Sequence, residues 1–242
     1  MKSVLVRAGA LVLLMAGQSL AASAWPDRYN DCLGLEDPDD ALAACLDALS
    51  SPALSVLERS EVFRQIGSIH RTEEELAEAE ANLKASLALV PQNPETLAEL
   101  GAVFYLKDDF QTASEFLSRA LDTGFPSGVA HNNRAMTFAA LGDISNALAD
   151  FDAAVRLLQT NGAVWNNRAN ARCDAGDVEG AYLDRIQALY NGRFTAAAAQ
   201  SGLRNSGFYD GPSDGIWGFD SEQALRAWTE AGCPNAPKSR LQ

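Results

Sequence analysis

The sequence predicts an all-α fold: a solenoid of helical hairpins, built from a half repeat plus four repeats, followed by a small helical module. Three observations predict it. The chain aligns with itself at an offset of 34 residues without a gap, placing Gly142-Asp143 on Gly176-Asp177 and Asn132-Asn133-Arg134-Ala135 on Asn166-Asn167-Arg168-Ala169. Small residues recur at fixed places in that period, as helices require where they approach closely. From about residue 196 the period stops, and Gly, Pro and Asp specify tight turns instead.

Residues 1–24 are set apart from the fold. Lys2 and Arg7 flank an apolar stretch from Leu11 to Ala16, and Ala22-Ser23-Ala24 precedes Trp25, the pattern of a secretory signal peptide cleaved after Ala24. A retained membrane anchor is the alternative. No other apolar run approaches the ~20 residues of a membrane span, and no Cys follows the cleavage site to carry a lipid. The exported product is therefore expected in the periplasm, without membrane insertion after cleavage. The whole chain is 47% apolar and 21% charged, which excludes wholesale disorder. Its 19 Lys and Arg against 32 Asp and Glu give a net charge of -13, and losing Lys2 and Arg7 makes that 17 − 32 = −15. Such a surface repels a phosphate backbone, so no nucleic-acid partner is expected.

Residues 25–59 form an N-terminal cap. Ala41, Cys45 and Ala48 carry the small-residue spacing of a second helix, with Asp39 or Asp40 as N-cap and Pro52 beyond the end. Residues 37–50 read as half a repeat covering the solenoid's first apolar face.

Four repeats follow over 60–195: units 60–93, 94–127, 128–161 and 162–195, each two helices joined by a short turn. Repeat position 8 holds Gly67, Gly101, Ala135 and Ala169; position 20 holds Ala79, Ala113, Ala147 and Ala181; position 27 holds Ser86, Ala120, Ala154 and Ala188. Position 17, the start of each second helix, is Leu76, Phe110, Ile144 and Val178. Positions 7 and 23 should face each other, as Leu100 with Phe116, Arg134 with Asp150 and Arg168 with Asp184; Ile66 with Asn82 fits neither the apolar nor the ionic kind. Arg172 and Arg185 stand where other units are mainly apolar or aromatic, predicting a partly solvated outer face on unit four.

These positions, with Pro91 near the end of the first unit, resemble the tetratricopeptide repeat over about 136 residues. The resemblance implies a right-handed solenoid whose first helices line a concave groove for an unidentified protein or peptide. It directs Arg64, Gln65, Ser68, Arg71, Ala98, Glu99, Ala102 and Tyr105 towards that groove, followed by Asn132, Asn133, Met136, Asn166, Asn167, Asn170 and Asp174. Each Asn amide offers a donor and an acceptor, so the row Asn132, Asn133, Asn166, Asn167 and Asn170 suits an extended peptide backbone. The competing reading has these amides satisfying the helices around them.

The module at 196–242 contains Gly207-Phe208-Tyr209-Asp210-Gly211-Pro212-Ser213-Asp214-Gly215-Ile216-Trp217-Gly218, then a helix capped by Asp220 or Ser221 with an apolar face of Ala224, Leu225 and Trp228. With Gln200 and Leu203 ahead of it, this stretch resembles the bacterial peptidoglycan-binding-like module. It departs at Ser221 and Thr229, and has no room for the family's full third helix. The resemblance implies peptidoglycan as a further partner, with Tyr209, Asp214 and Trp217 as glycan-binding residues; packing in the small core is the other reading of Trp217.

All four cysteines, Cys32, Cys45, Cys173 and Cys233, fall in the exported part, where an even number reads as disulfides rather than as metal ligands. Cys32 and Cys45 share the cap, while Cys173 lies on the first helix of unit four and Cys233 just past the module's last helix. Crossed pairs would span several helices ~8–10 Å apart, beyond the ~7 Å Cα limit. The expected pairs are Cys32 with Cys45 and Cys173 with Cys233, the second stapling module to solenoid.

No catalytic constellation is expected. His70 and His131, the only histidines, occupy packing positions and are expected buried, so no base stands beside a nucleophile. Glu73-Glu74-Glu75 lies on a turn into a helix, where acidic groups suit the dipole. There is no phosphate-binding Gly loop, no metal set and no cofactor motif. The expectation is a non-enzymatic periplasmic protein–protein interaction scaffold associated with peptidoglycan. The alternatives are an accessory or enzyme of cell-wall remodelling, and a module serving only as a structural cap.

Overall fold

The computed structural model describes residues 25–234; the signal-peptide expectation and the last eight residues lie outside that range. Twelve helices follow in order: α1 (Trp25–Gly34), α2 (Pro38–Leu49), α3 (Val56–Thr72), α4 (Leu76–Leu89), α5 (Pro94–Leu106), α6 (Phe110–Asp122), α7 (Gly128–Ala140), α8 (Ile144–Leu157), α9 (Gly162–Ala175), α10 (Val178–Tyr190), α11 (Ala196–Asn205) and α12 (Phe219–Glu230). From α6 to α10 every helix starts 34 residues after its counterpart one unit earlier. The apolar position 17 opens each second helix, as its spacing predicts.

Repetition of the capping chemistry explains this regularity. The residue before each second helix is Glu75, Asp109, Asp143 or Asp177, and the three Asp side chains accept from the amides of Thr112, Asn146 and Gly180. One residue earlier the chain turns through a left-handed φ: 63° at Glu74, 58° at Asp108, 80° at Gly142 and 77° at Gly176. Only the last two units place Gly where that conformation costs nothing.

The N-terminal cap differs from the half repeat expected. α1 packs along α2 and also touches α3, so the cap is a complete hairpin. The N-cap of α2 is Asp37, not Asp39 or Asp40: its carboxylate accepts from the amides of both (3.0 and 3.1 Å), and Pro38 occupies the first turn, where its missing N–H is harmless. α3 carries an additional N-terminal turn, closed by a capping box between Ser55 and Glu58. Ala41, Cys45 and Ala48 are buried on one face of α2, and Cys45 joins Cys32, Val62 and Ile66 in one core.

Successive first helices α3, α5, α7 and α9 touch one another, whereas second helices make no comparable contact, so the first helices form the inner layer of the curve. The opposed positions meet as the period predicts. Arg134 donates from Nε and Nη2 to the two carboxylate oxygens of Asp150 (2.6 and 2.9 Å), and Arg168 does the same to Asp184 (2.8 and 2.7 Å). Each Arg spends its remaining nitrogen on the preceding unit, Arg134 on Ser118 Oγ (3.2 Å) and Arg168 on Asp152 (2.7 Å), so one guanidinium ties three helices together. In unit one Ile66 packs into the cap core while Asn82 donates to the Glu78 carbonyl of its own helix (2.9 Å), which accounts for the mismatched pair.

Candidate functional site

The inner layer changes character along its length. In units one and two its side chains are half-buried: Arg64, Gln65, Ser68, Arg71, Ala98, Glu99 and Tyr105 keep part of their surface, and Ala102 is buried. Arg71 Nε donates to Glu99 across the unit boundary (2.7 Å), and Arg64 Nε to Glu61 (3.1 Å). Burial, then the Asp108 charge, raises the Tyr105 hydroxyl above its ordinary pKa.

Units three and four are more closed, although Asn170 is half-buried and Asp174 at the end of α9 is exposed. Asn132, Asn133, Asn166 and Asn167 are only 2–4% exposed. Asn167 Nδ2 donates to Asn132 Oδ1 (3.1 Å) and approaches Met136 Sδ (3.4 Å), and Asn132 Nδ2 donates to Asn133 Oδ1 (3.3 Å). Asn166 and Asn170 accept from Arg185, Asn170 at 2.6 Å. The amides thus serve neighbouring helices, the second of the two readings the sequence left open, because a buried amide must find its partners inside. The half-exposed inner surface lies mainly in units one and two.

In the module, Gln200 is fully buried and organises the loop. Its Oε1 accepts from Gly215 N (2.9 Å), while its Nε2 faces the Ile216 carbonyl (3.0 Å), Ser221 Oγ (3.1 Å) and Asp214 Oδ1 (3.2 Å). Asp214 also accepts from Ile216 N (2.9 Å); that amide, and then Gln200, hold its carboxyl below the usual range. Tyr209 is 9% exposed and donates to the Pro212 carbonyl (3.2 Å). Two of the three residues expected to meet glycan therefore brace the loop itself, and Trp217 is half-buried. The exposed apolar groups here are Ile216 (73%) and Phe219 (74%). Phe219 escaped the sequence reading because the helix was expected to begin at Asp220 or Ser221. It begins at Phe219 after Gly218, with Asp220 and Glu222 in the first turn and Ser221 buried.

The module packs on the last repeat. Tyr182 shares a core with Leu203, Tyr209, Leu225 and Trp228, flanked by Cys173, Ile186 and Trp217. Tyr182 donates to Glu222 (2.6 Å), and Arg226 pairs with Glu179 (2.8 Å). Burial, then the Glu222 carboxylate, raises the Tyr182 hydroxyl. Cys173 is bonded to Cys233 with Cα atoms 6.2 Å apart, and Cys32 to Cys45 at 4.4 Å, the pairs expected from their placement. Unit four is covered here only in part: Arg185 is 6% exposed against α12, whereas Arg172 keeps part of its surface.

The histidines are half-buried rather than buried. Each reaches a carboxylate, His70 to Glu75 (2.6 Å) and His131 to Asp150 (2.8 Å). Among the described residues no group of three or more His, Cys, Asp and Glu could hold a metal ion, and no helix is long and apolar enough to cross a membrane.

This architecture, hairpins at a strict 34-residue spacing with first helices inside, is the tetratricopeptide-repeat solenoid. No family model matches the chain. Tetratricopeptide repeat protein 36 is similar to it: the Bos taurus protein is 38% identical over 88 residues, covering 33% of this chain and 47% of the relative, and the Homo sapiens protein is 36% identical over 96 residues, covering 37% and 51%. The chain spans about half the length of these relatives. Among solved structures, Pseudomonas aeruginosa pilF superposes with a TM-score of 0.64 at 18% identity, covering 76% of this chain and 83% of that one. MamA superposes at 0.53 with 19% identity, covering 64% and 88%. These likenesses concern the fold.

Proposed function

We propose that the protein is a non-enzymatic scaffold of the periplasm whose inner face, in units one and two, holds a protein partner, and whose module docks at peptidoglycan. The observation that carries the first half is the contrast along the inner layer: closed and internally bonded around Asn132, Asn133, Asn166 and Asn167, half-exposed around Gln65, Ser68, Ala98 and Tyr105. A photo-crosslinking residue at Gln65 should trap a partner in the periplasm, while the same residue at exposed Arg156 of α8 should not. Equal trapping at both positions, or none at Gln65, contradicts the groove. The exported charge of −15 favours partners with basic surfaces, so capture should weaken with salt.

The wall half rests on the Asp-Gly-Pro loop behind a signal-like N-terminus. Phe219, rather than Tyr209, supplies an exposed aromatic face for a sugar ring, with Ile216 as an exposed apolar neighbour. Retention on purified sacculi that falls in Ile216→Ser/Phe219→Ser supports docking; unchanged retention contradicts this surface.

A second reading is favoured by the shared core, the Tyr182–Glu222 bond and the Cys173–Cys233 bond: the module is the solenoid's C-terminal cap, substituting for a fifth repeat. Both roles are compatible in one chain.

A further inference from the structure

The two disulfides stand in different surroundings. Cys32 and Cys45 are both 0% exposed inside the cap core, so a reagent reaches them only if that core opens. Cys173 lies in the last turn of α9, is half-buried, and is followed by four exposed residues, Asp174 to Asp177. Reaching it requires only the end of one helix to open, and helix ends open more readily than a core does. Its partner Cys233 is 5% exposed and stands just past α12 with a left-handed φ of 54°. A side chain with a Cβ keeps that conformation only where its surroundings enforce it.

The Cys173–Cys233 bond closes a stretch of 60 residues and ties α12 to unit four. The entropy of so long a loop favours the docked arrangement by up to about a thousandfold. The contacts beside it are few. One small core holds Tyr182, Leu225 and Trp228 together, and Tyr182 donates to Glu222 (2.6 Å). The Arg226–Glu179 pair has side chains 39% and 61% exposed, so water screens it. The Trp228 ring lies 4.9 Å from the Arg185 guanidinium, which is 6% exposed. Burial, against the pull of the Asp184 charge, lowers the Arg185 pKa to about 10, so covering this cation opposes docking.

We propose that Cys173–Cys233 is a redox latch: a dithiol reduces it while Cys32–Cys45 stays intact, and α12 then leaves unit four. A thiolate of the dithiol attacks Cys173 Sγ, the S–S bond breaks, and Cys233 departs as a thiolate. The second thiol of the reagent then displaces Cys173, closing the reagent into its own disulfide. Two electrons pass from the dithiol to the protein, and its two thiol protons end on Cys173 and Cys233. Departure of α12 uncovers Tyr182 and Arg185, an aromatic and cationic surface that the oxidised form keeps buried. The latch depends on neither the groove nor wall docking.

Pulsed alkylation of the intact, oxidised protein in dithiothreitol, under native conditions and read by peptide mapping, tests the order of reduction. Cys173 and Cys233 should be labelled at least about tenfold sooner than Cys32 and Cys45. In protein reduced at that bond alone, the amides of α12 and α10 should exchange with deuterium at least about tenfold faster. Those of α3 to α6 should keep their rates, and reoxidation should restore the original pattern. Cys173→Ser/Cys233→Ser should show the faster exchange without reductant and no further response to it. Reduction of the cap pair first or simultaneously overturns the proposal, as does a Cys173–Cys233 bond that resists the dithiol short of global unfolding. Unchanged protection of α12 after selective reduction overturns it too. Because labelling and exchange use the unaltered protein, they decide the matter even if the double variant does not fold.

Discussion

Asp184 holds two guanidiniums at once, Arg168 through both oxygens and Arg172 at 3.1 Å, and it is 1% exposed. Removing it leaves Arg168 with Asp152 alone, and Arg172 with the Gly180 carbonyl and a more distant Asp177. Asp184→Ala should cost about 3–5 kcal/mol in urea unfolding, whereas Asp152→Ala, whose side chain is 49% exposed, should cost less than about 1 kcal/mol. Glu80 offers a pH-dependent case. Lys107, then Lys84, hold its carboxyl below its ordinary value of 4.5. A lowered folded-state pKa gives a stabilisation present above the unfolded value and lost as pH falls through the folded one. Glu80→Gln should therefore leave an acid-unfolding curve less steep below about pH 4.5, seen by circular dichroism. The Arg–Asp partners were legible because the period alone sets positions 7 and 23 opposite each other. The burial of the Asn row was not, since an amide reads the same facing a groove or a neighbouring helix.

At the scale of the hairpin, close helix approach depends on a pairing that small residues alone do not reveal. A Cβ added to Gly101 would sit 2.5 Å from Leu117 Cγ, and one added to Gly67 would sit 2.6 Å from Leu83 Cγ. Units three and four carry Ala at this position 8, opposite Phe151 and Arg185 instead of Leu. Gly101→Ala should accordingly destabilise by about 1–2 kcal/mol through overpacking, although Ala is the better helix former by ~1 kcal/mol. The hairpin turn predicts the opposite sign. Asp108 and Glu74 adopt the left-handed conformation that Gly142 and Gly176 adopt without penalty. Asp108→Gly and Glu74→Gly should each raise the unfolding free energy by about 0.5–1 kcal/mol. The offset of 34 made turns, plugs and second-helix starts readable. Only the cap and α12 departed, because Pro38 and Gly218 set their helix starts by backbone geometry.

For the whole molecule, the sequence divides solenoid from module at residue 196, where the period ends, yet the structure joins them through one core and one disulfide. The Cys pairing was legible because each pair fell at one end of the stack. The burial of Arg185 was not, because the element that covers it, α12 (Phe219–Glu230), lies beyond the end of the repeats and has no repeat register to place it. Unit four and the module fold as one body. Hydrogen–deuterium exchange of the full chain and of a chain ending at residue 195 measures this most directly. The amides of α9 and α10 should be protected in the full chain and lose protection in the shorter one, while those of α3 to α6 keep theirs. Unchanged protection of α9 and α10 without the module would contradict it.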